Sequence, residues 1–290
     1  MNKGVLGIGA VLLGVFLWGS PGMAQSVNPA LEEVLRDLTA DPDLTGLRLA
    51  PPIPPRPDWQ VIVDSQYLSI SNPRFENIRT ESDSLLLGTV ALNGSPQISP
   101  DAQLLINLGA TLARFGREKE SDFNRVNGSV GINWNFDPTS FVRLDVQGQY
   151  IQSVSLGTKF FSDVAVQFRL GQRQQLPEKV SFTYFYQVRA NFADPDTLNR
   201  VGHSLNAGFG IPLADQVSAT VNYRFLISNY TIVNRRDIEH EISADLRYQI
   251  SPNFTLRGFT TYVNNSSTDT QFTFDSFAYG LGFNASLSLN

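Results

Sequence analysis

From Trp59 to its last residue, the chain is a series of segments in which apolar and polar residues alternate, with gaps that are by turns longer and very short. In residues 142–147, for example, valine and leucine alternate with arginine, aspartate and glutamine. Successive side chains of a β-strand point to opposite faces, so each segment predicts a strand with one apolar and one polar face. Gaps that alternate in length are typical of a closed barrel with tight turns at one rim and longer loops at the other. We therefore predict an all-β fold, a closed antiparallel transmembrane β-barrel.

The pattern predicts twelve strands, each long enough for the roughly 9 to 11 residues that a tilted strand needs to cross the hydrocarbon region. They cover residues 59–71, 81–93, 101–114, 124–136, 140–152, 160–175, 180–192, 200–212, 217–230, 237–250, 253–264 and 271–289. The first two alternate least regularly, because Leu85, Leu86 and Leu87 are consecutive. Ten strands is therefore the alternative count.

The short gaps have turn composition, as in Asp137-Pro138-Thr139, whereas other gaps are longer, as in residues 115–123. Short turns mark the periplasmic rim of such barrels, so an even number of strands predicts that both termini lie in the periplasm. Aromatic residues concentrate near the segment ends and predict two interfacial girdles. The girdle candidates are Trp134, Phe136, Phe141, Tyr150, Phe160, Phe192, Tyr230 and Tyr262.

A soluble β-sandwich would also show alternating strands at regular spacing. In a sandwich, however, one face of each strand must be apolar and pack on the other sheet. Here the polar faces carry charges of both signs deep within the segments. The charge pattern thus favours the membrane barrel.

The first 24 residues predict a secretory signal peptide. Lys3 precedes an apolar run over residues 5–18, and Ala24 ends a small-residue pattern suited to cleavage. The run is shorter than the roughly 20 residues of a membrane-spanning helix, which argues against an uncleaved anchor. The chain contains no cysteine, so disulfides, thiolate metal sites and a lipid-modified cysteine are excluded.

Residues 25–58 differ in composition and predict a periplasmic arm. Leu31, Val34, Leu35 and Leu38 fall at helical spacing, and a proline-rich stretch over residues 51–57 favours an extended spacer. Two interpretations remain open for this arm. It is either a linker, which would suit a periplasmic partner, or a plug that enters the barrel from the periplasmic rim.

The polar faces of residues 124–257 supply a set of charged side chains for the lumen of the predicted barrel. These candidates are Arg125, Arg143, Asp145, Asp163, Arg169, Arg189, Arg224, Glu239, Glu241, Asp245, Arg247 and Arg257. Such a mixed wall can line a water-filled pore or pair internally and fill it. Arg224, Asp245, Arg247 and Arg257 lie on three consecutive strands and predict a constriction or an anion-preferring site, with a structural salt-bridge network as the alternative.

Glycines on the eighth and twelfth strands, including Gly202, Gly208, Gly280 and Gly282, leave room on the luminal side. Water, a solute or the arm could occupy that room, and glycines also let a strand bend. What fills the space is left open by the sequence.

The sequence does not predict an enzyme or a bound cofactor. His203 and His240 are the only histidines, and His203 is adjacent to Ser204. Neighbouring strand residues face opposite ways, so this serine and histidine cannot form a local nucleophile–base pair. No His/Cys cluster or acidic calcium loop suggests a metal site. The formal net charge of −5, without a basic block, excludes a typical nucleic-acid-binding protein.

The last strand alternates from Phe277 to Leu289, with Gly282, Ala285 and Leu287 at the offsets of a C-terminal assembly signal, although the chain ends in Asn290 rather than an aromatic residue. Together with the signal peptide and the twelve segments, it resembles a Gram-negative-type outer-membrane β-barrel protein. The resemblance implies that the partners are outer-membrane lipid and the barrel-assembly machinery. Two functions are compatible with these features: a small channel for ions or hydrophilic solutes, or a non-conducting structural or interaction barrel.

Overall fold

The computed structural model describes residues 59–72 and 82–289 of the chain. The predicted signal peptide and periplasmic arm lie outside the described residues. The strands are β1 (Trp59–Ile70), β2 (Asp83–Gly94), β3 (Gln97–Ser99), β4 (Ala102–Phe115), β5 (Phe123–Asn135), β6 (Ser140–Ser153), β7 (Lys159–Gln175), β8 (Ser181–Asp194), β9 (Arg200–Ala214), β10 (Val217–Tyr230), β11 (Arg236–Ser251), β12 (Phe254–Ser267) and β13 (Phe274–Leu289). Four 3-10 turns lie at Lys119–Ser121, Pro177–Lys179, Asp196–Leu198 and Thr270–Phe272.

The twelve long strands form one closed antiparallel ring. Each pairs with its neighbours along the chain, β2 pairs with β4, and β1 closes the ring on β13. The closing register runs from Trp59 opposite Leu289 to Ile70 opposite Ala278. The short strand β3 pairs with β4. The predicted closed barrel of twelve strands is confirmed, and the alternative count of ten is wrong.

Trp59 and Leu289 lie at the same end of the barrel as the short turns, and we call this end the terminal rim and the other the loop rim. None of the helices in the described part of the chain is long and apolar enough to cross a membrane. The outer wall is apolar, since side chains such as Leu144, Leu246 and Leu281 are exposed. The residues between them point inward and are shielded, as the alternation predicts.

The interior is not polar throughout. Thirteen buried apolar residues form one cluster, which we call the apolar seal: Leu68, Ile70, Leu85, Leu87, Ala113, Phe115, Phe123, Ile151, Phe161, Phe259, Val263, Phe274 and Ala278. All but Phe259 come from the loop-rim halves of their strands. The seal explains the irregular second segment, because Leu85 and Leu87 point into it while Leu86 faces outward.

The predicted girdles require aromatic residues on the outer wall, and Trp134, Phe136, Phe192 and Tyr262 are exposed there. The prediction is wrong for Tyr230 and Phe141, which point inward. Tyr230 is buried, with its ring against the guanidinium groups of Arg200 and Arg235. Phe141 shares the inner face of β6 with Asp145. Both residues have luminal parity in their strands, and parity decides their direction.

Candidate functional site on the luminal wall

The twelve predicted luminal charges all lie on the inner face, where each is buried or half-buried. On β6–β8, Arg143 Nε donates to both carboxylate oxygens of Asp145 at 2.7 and 2.8 Å. Arg189 Nη1 donates to Gln147 Oε1 at 2.9 Å, and its Nη2 lies 3.7 Å from Asp163 Oδ2. Buried charges are tolerated when they are paired and hydrogen-bonded. This part of the wall is therefore a salt-bridge network.

The predicted cluster of four charges on β10–β12 divides into two. Arg224 Nη2 donates to Glu239 Oε1 at 2.6 Å and to Glu241 Oε2 at 2.8 Å, so one guanidinium lies between two carboxylates. Asp245 lies four residues beyond Glu241 on the inner face of β11 and belongs to a different group. Arg224 therefore joins β10 to two carboxylates of β11.

The second group consists of Asp245, Arg247 and Arg257, so its guanidinium groups outnumber its carboxylates. Asp245 accepts a hydrogen bond from Arg247 Nε, and Arg257 Nε lies 3.7 Å from Asp245 Oδ2. Arg247 and Arg257 are directly opposite each other in the ladder between β11 and β12, where like charges repel. Two guanidinium groups thus share one carboxylate. Arg257 Nε is buried and has no hydrogen-bond partner among the residues that the structure describes.

The glycines of β13 make room for this group. A Cβ atom at Gly280 would lie 2.8 Å from Phe259 Cζ, and one at Gly282 would lie 3.4 Å from Arg257 Cγ. The Arg257 guanidinium carbon in turn lies 4.8 Å from the centre of the Phe259 ring. The space at these two glycines is therefore occupied by a phenylalanine and an arginine of the neighbouring strand. Gly202 is similar, since a Cβ there would lie 3.3 Å from Leu226 Cδ1.

A second guanidinium–aromatic group lies on β6–β8 around Gly171. Gly171 is opposite Phe141 in one ladder and opposite Phe185 in the other. A Cβ at Gly171 would lie 2.8 Å from Phe141 Cζ and 2.5 Å from Phe185 Cβ, so the Phe141 ring extends over the glycine. Arg169 and Arg173 flank it on the same face: Arg169 lies 5.6 Å from the Phe185 centroid and Arg173 lies 6.0 Å from that of Phe141.

Sequence reasoning missed Arg173, Phe141 and Phe185 as members of this group. Arg173 lies near the end of its segment, Phe141 was attributed to a girdle, and Phe185 was not singled out. The available signal was parity, because Arg169, Gly171 and Arg173 alternate on one face of a strand. To predict that Phe141 and Phe185 lie on either side of Gly171, one would also need the register of the strand pairs.

The loop between β10 and β11 contributes a further buried arginine that sequence reasoning missed. Arg235 Nε donates to Asp237 Oδ1 at 2.9 Å. Its guanidinium carbon lies 4.3 Å from the Tyr230 centroid and 3.5 Å from the Phe272 centroid. Arg235 therefore fastens this loop to the loop rim, in contact with the 3-10 turn before β13.

The two histidines lie on the outer face. Tyr186 Oη is 2.7 Å from His203 Nδ1, and Tyr223 Oη is 2.8 Å from His240 Nδ1. Ser204 is buried on the inner face, opposite to its neighbour His203, as the alternation predicts. Within residues 59–72 and 82–289, no group of three or more His, Cys, Asp or Glu side chains could hold a metal ion.

The residues of the predicted assembly signal lie in β13, which closes the barrel. Gly282 faces inward, where a Cβ would lie 2.9 Å from the backbone oxygen of Ser65, and Leu287 is exposed on the outer wall. Ala285 is half-buried and opposite Val63 of β1. Recognition of this segment by the assembly machinery stays a prediction.

Comparison with solved structures places this architecture among known folds. The COG4313 outer membrane channel from Pseudomonas putida F1 is similar, with a TM-score of 0.59, 9% sequence identity, and coverage of 82% of this chain and 99% of that chain. The chain has an outer-membrane β-barrel fold. The barrel is also similar to the translocator domain of the autotransporter NalP from Neisseria meningitidis (TM-score 0.48, 10% identity, 90% and 99% covered) and to the NanC porin (TM-score 0.48, 11% identity, 78% and 100% covered). No family model and no curated protein sequence matches the chain.

Proposed function

We propose that this outer-membrane barrel is a non-enzymatic channel for small hydrophilic solutes, that it prefers anions, and that both termini lie in the periplasm. The observation that carries the proposal is the group formed by Asp245, Arg247 and Arg257. Near the terminal rim, Arg247 and Arg257 share a single carboxylate on the luminal wall. A fixed positive charge in a low-dielectric wall attracts anions and repels cations.

Other features of the lumen support passage from the terminal rim. Many inner side chains from the middle of the barrel to the terminal rim are small or polar and only half-buried, among them Asn107, Ser129, Asn133 and Ser243. Water solvates such a surface more readily than the surface of the apolar seal. The short turns at the terminal rim match the periplasmic side of bacterial barrels, which supports the proposed orientation.

The apolar seal favours a second candidate, a non-conducting structural or interaction barrel. Its side chains are almost completely buried and fill the loop-rim half between β12, β13, β1, β2 and β4–β7. Hydrophobic constrictions can gate a channel by excluding water. A channel with this interior would conduct only when the seal rearranges, whereas a structural barrel would never conduct.

Single-channel conductance in a planar bilayer tests the proposal. The protein refolded without its predicted signal peptide is compared with the same protein lacking residues 26–58. Heat-modifiable electrophoretic mobility confirms that each form is folded. Discrete conductance steps with an anion-selective reversal potential are expected. Larger or less noisy steps from the shortened form would assign the arm as a plug.

The Arg257→Gln variant separates anion preference from conduction itself. Removing this guanidinium leaves Arg247 paired with Asp245, so we expect the reversal potential to shift toward cations. Arg236→Gln is the matched control, because Arg236 is exposed at the loop rim. Folded protein that remains silent in every form would contradict the channel and favour the structural barrel.

A further inference from the structure

We propose that the terminal-rim half of the lumen binds aromatic carboxylates, with guanidinium groups holding the carboxylate and phenylalanine rings contacting the aromatic ring. As a solute class this inference rests on the proposed channel, but binding at the site can be measured without conduction. The evidence is the repeated combination of arginine and phenylalanine on the inner wall, first around Gly171 and again beside Gly280.

The two groups lie on opposite walls of the barrel. Going around the ring, four strands separate β7 from β12 on one side, and five separate β7 from β13 on the other. They are also close to the same rim. Gly171 lies four residues before the end of β7 at Gln175, and Arg257 lies three residues after the start of β12 at Phe254. A solute that enters at the terminal rim would therefore pass between them.

The groups differ in how much of them remains accessible. On β6–β8, Arg173 is exposed and Phe141 is half-buried, whereas Arg169 and Phe185 are buried behind them. Arg169 Nε also donates to Gln187 Oε1 at 2.7 Å, so its position is fixed. On β11–β12, Arg257 carries a buried Nε without a hydrogen-bond partner in the described part of the chain. The carboxylate of a bound ligand would supply further hydrogen-bond acceptors to the Arg257 guanidinium, which shares Asp245 with Arg247.

The aromatic part of the proposal follows from the rings. A small inorganic anion needs only the guanidinium groups, and placing phenylalanine beside them adds nothing to its binding. Phe141 gives half-buried flat apolar surface next to Arg173, and the buried rings of Phe185 and Phe259 lie against Arg169 and Arg257. An aromatic ring can stack on either a phenylalanine or a guanidinium plane. A benzoate-like molecule uses both features at once.

Ligand-induced stabilisation of the refolded full mature protein in detergent tests this site. The probes are benzoate, acetate and benzamide at equal concentration and at a pH at which both carboxylates are ionised. Benzoate carries charge and ring, acetate only charge, and benzamide only the ring. We expect benzoate to raise the unfolding temperature and to bind at least about tenfold more tightly than either partial analogue, because both contacts contribute.

Variants then separate the two contacts. The double variant Phe141→Leu with Phe259→Leu keeps both side chains apolar but removes their rings, and should lower benzoate affinity to that of acetate. Arg257→Gln should lower the affinity for both carboxylates. Phe168→Leu, on the lipid-facing surface, and Arg236→Gln are the controls and should leave binding unchanged.

The inference is overturned if benzoate and acetate bind equally, or if the phenylalanine double variant retains the preference for benzoate in a folded protein. The channel proposal fails separately. Benzoate binding by a protein that never conducts would support the site and contradict the channel. Anion-selective conductance by a protein that binds benzoate and acetate equally would support the channel and contradict the site.

Discussion

The β7–β8 turn contains two non-glycine residues in the left-handed region, Glu178 with φ of 59° and Lys179 with φ of 60°. Each such residue costs roughly 1–2 kcal/mol relative to a right-handed conformation. Two consecutive left-handed residues form the type I′ hairpin turn that Asn-Gly adopts most readily. We predict that Glu178→Asn combined with Lys179→Gly stabilises the barrel by about 1 kcal/mol. The urea midpoint of the protein refolded into lipid vesicles measures the change. Asp215→Gly, in a turn without positive φ, should give no gain.

At the β5–β6 turn, hydrogen bonds hold the pKa of Asp137 well below its ordinary value of 3.8, at about 2. The main cause is the Thr139 hydroxyl, followed by hydrogen bonds from Ser140 and the Thr139 amide. Because the pKa is lower in the folded chain, the stabilisation is present above pH 3.8 and disappears as the pH falls to about 2. Asp137→Asn should remove this contribution. Urea midpoints of the two proteins should therefore differ at neutral pH and converge at about pH 2.

Truncation of a phenylalanine should cost less stability on the outer face of the barrel than in the apolar seal. Phe123 in β5 is buried in the seal, whereas Phe192 in β8 is 62% exposed on the outer wall. We predict that Phe123→Ala costs about 3–5 kcal/mol because it leaves a cavity. Phe192→Ala should cost much less, since lipid can fill the space. Equal losses in urea unfolding from vesicles would show that Phe123 does not pack as described.

At the level of strands, the sequence predicted all twelve long elements with bounds that differ from the structure by three residues at most. Alternation is a local property, so it identifies strands and their faces without knowledge of the register. The contents of the lumen depend on which inner residues of different strands meet. Residues 85–87 break the alternation because Leu85 and Leu87 face an apolar part of the lumen while Leu86 faces outward. The apolar seal itself was not predicted. Arg247 and Arg257 were correctly grouped, but Arg224 was not, because its partners depend on the pairing of β10 with β11.

For the whole barrel, we predict that the lumen is accessible to water from the terminal rim and dry toward the loop rim. The chain has no cysteine, so single thiols can be introduced without background. Ser218 is exposed on the inner face near the terminal rim, and Ser276 is buried on the inner face near the loop rim. Ser218→Cys should react with a water-soluble thiol reagent on the order of a hundredfold faster than Ser276→Cys, which reacts only in rare open states. Similar rates in folded protein would show that the seal is hydrated.

The apolar seal draws its residues from both ends of the described chain. Leu68, Ile70, Leu85 and Leu87 come from the first two strands, and Val263, Phe274 and Ala278 come from the last two. These side chains meet only when β1 pairs with β13, so no incomplete barrel can bury them together. Contacts between such distant parts of a chain form late in folding. We therefore expect burial of the seal to stabilise only the closed ring. A chain that lacks its last strand should gain little stability from pairing its other strands and should be degraded.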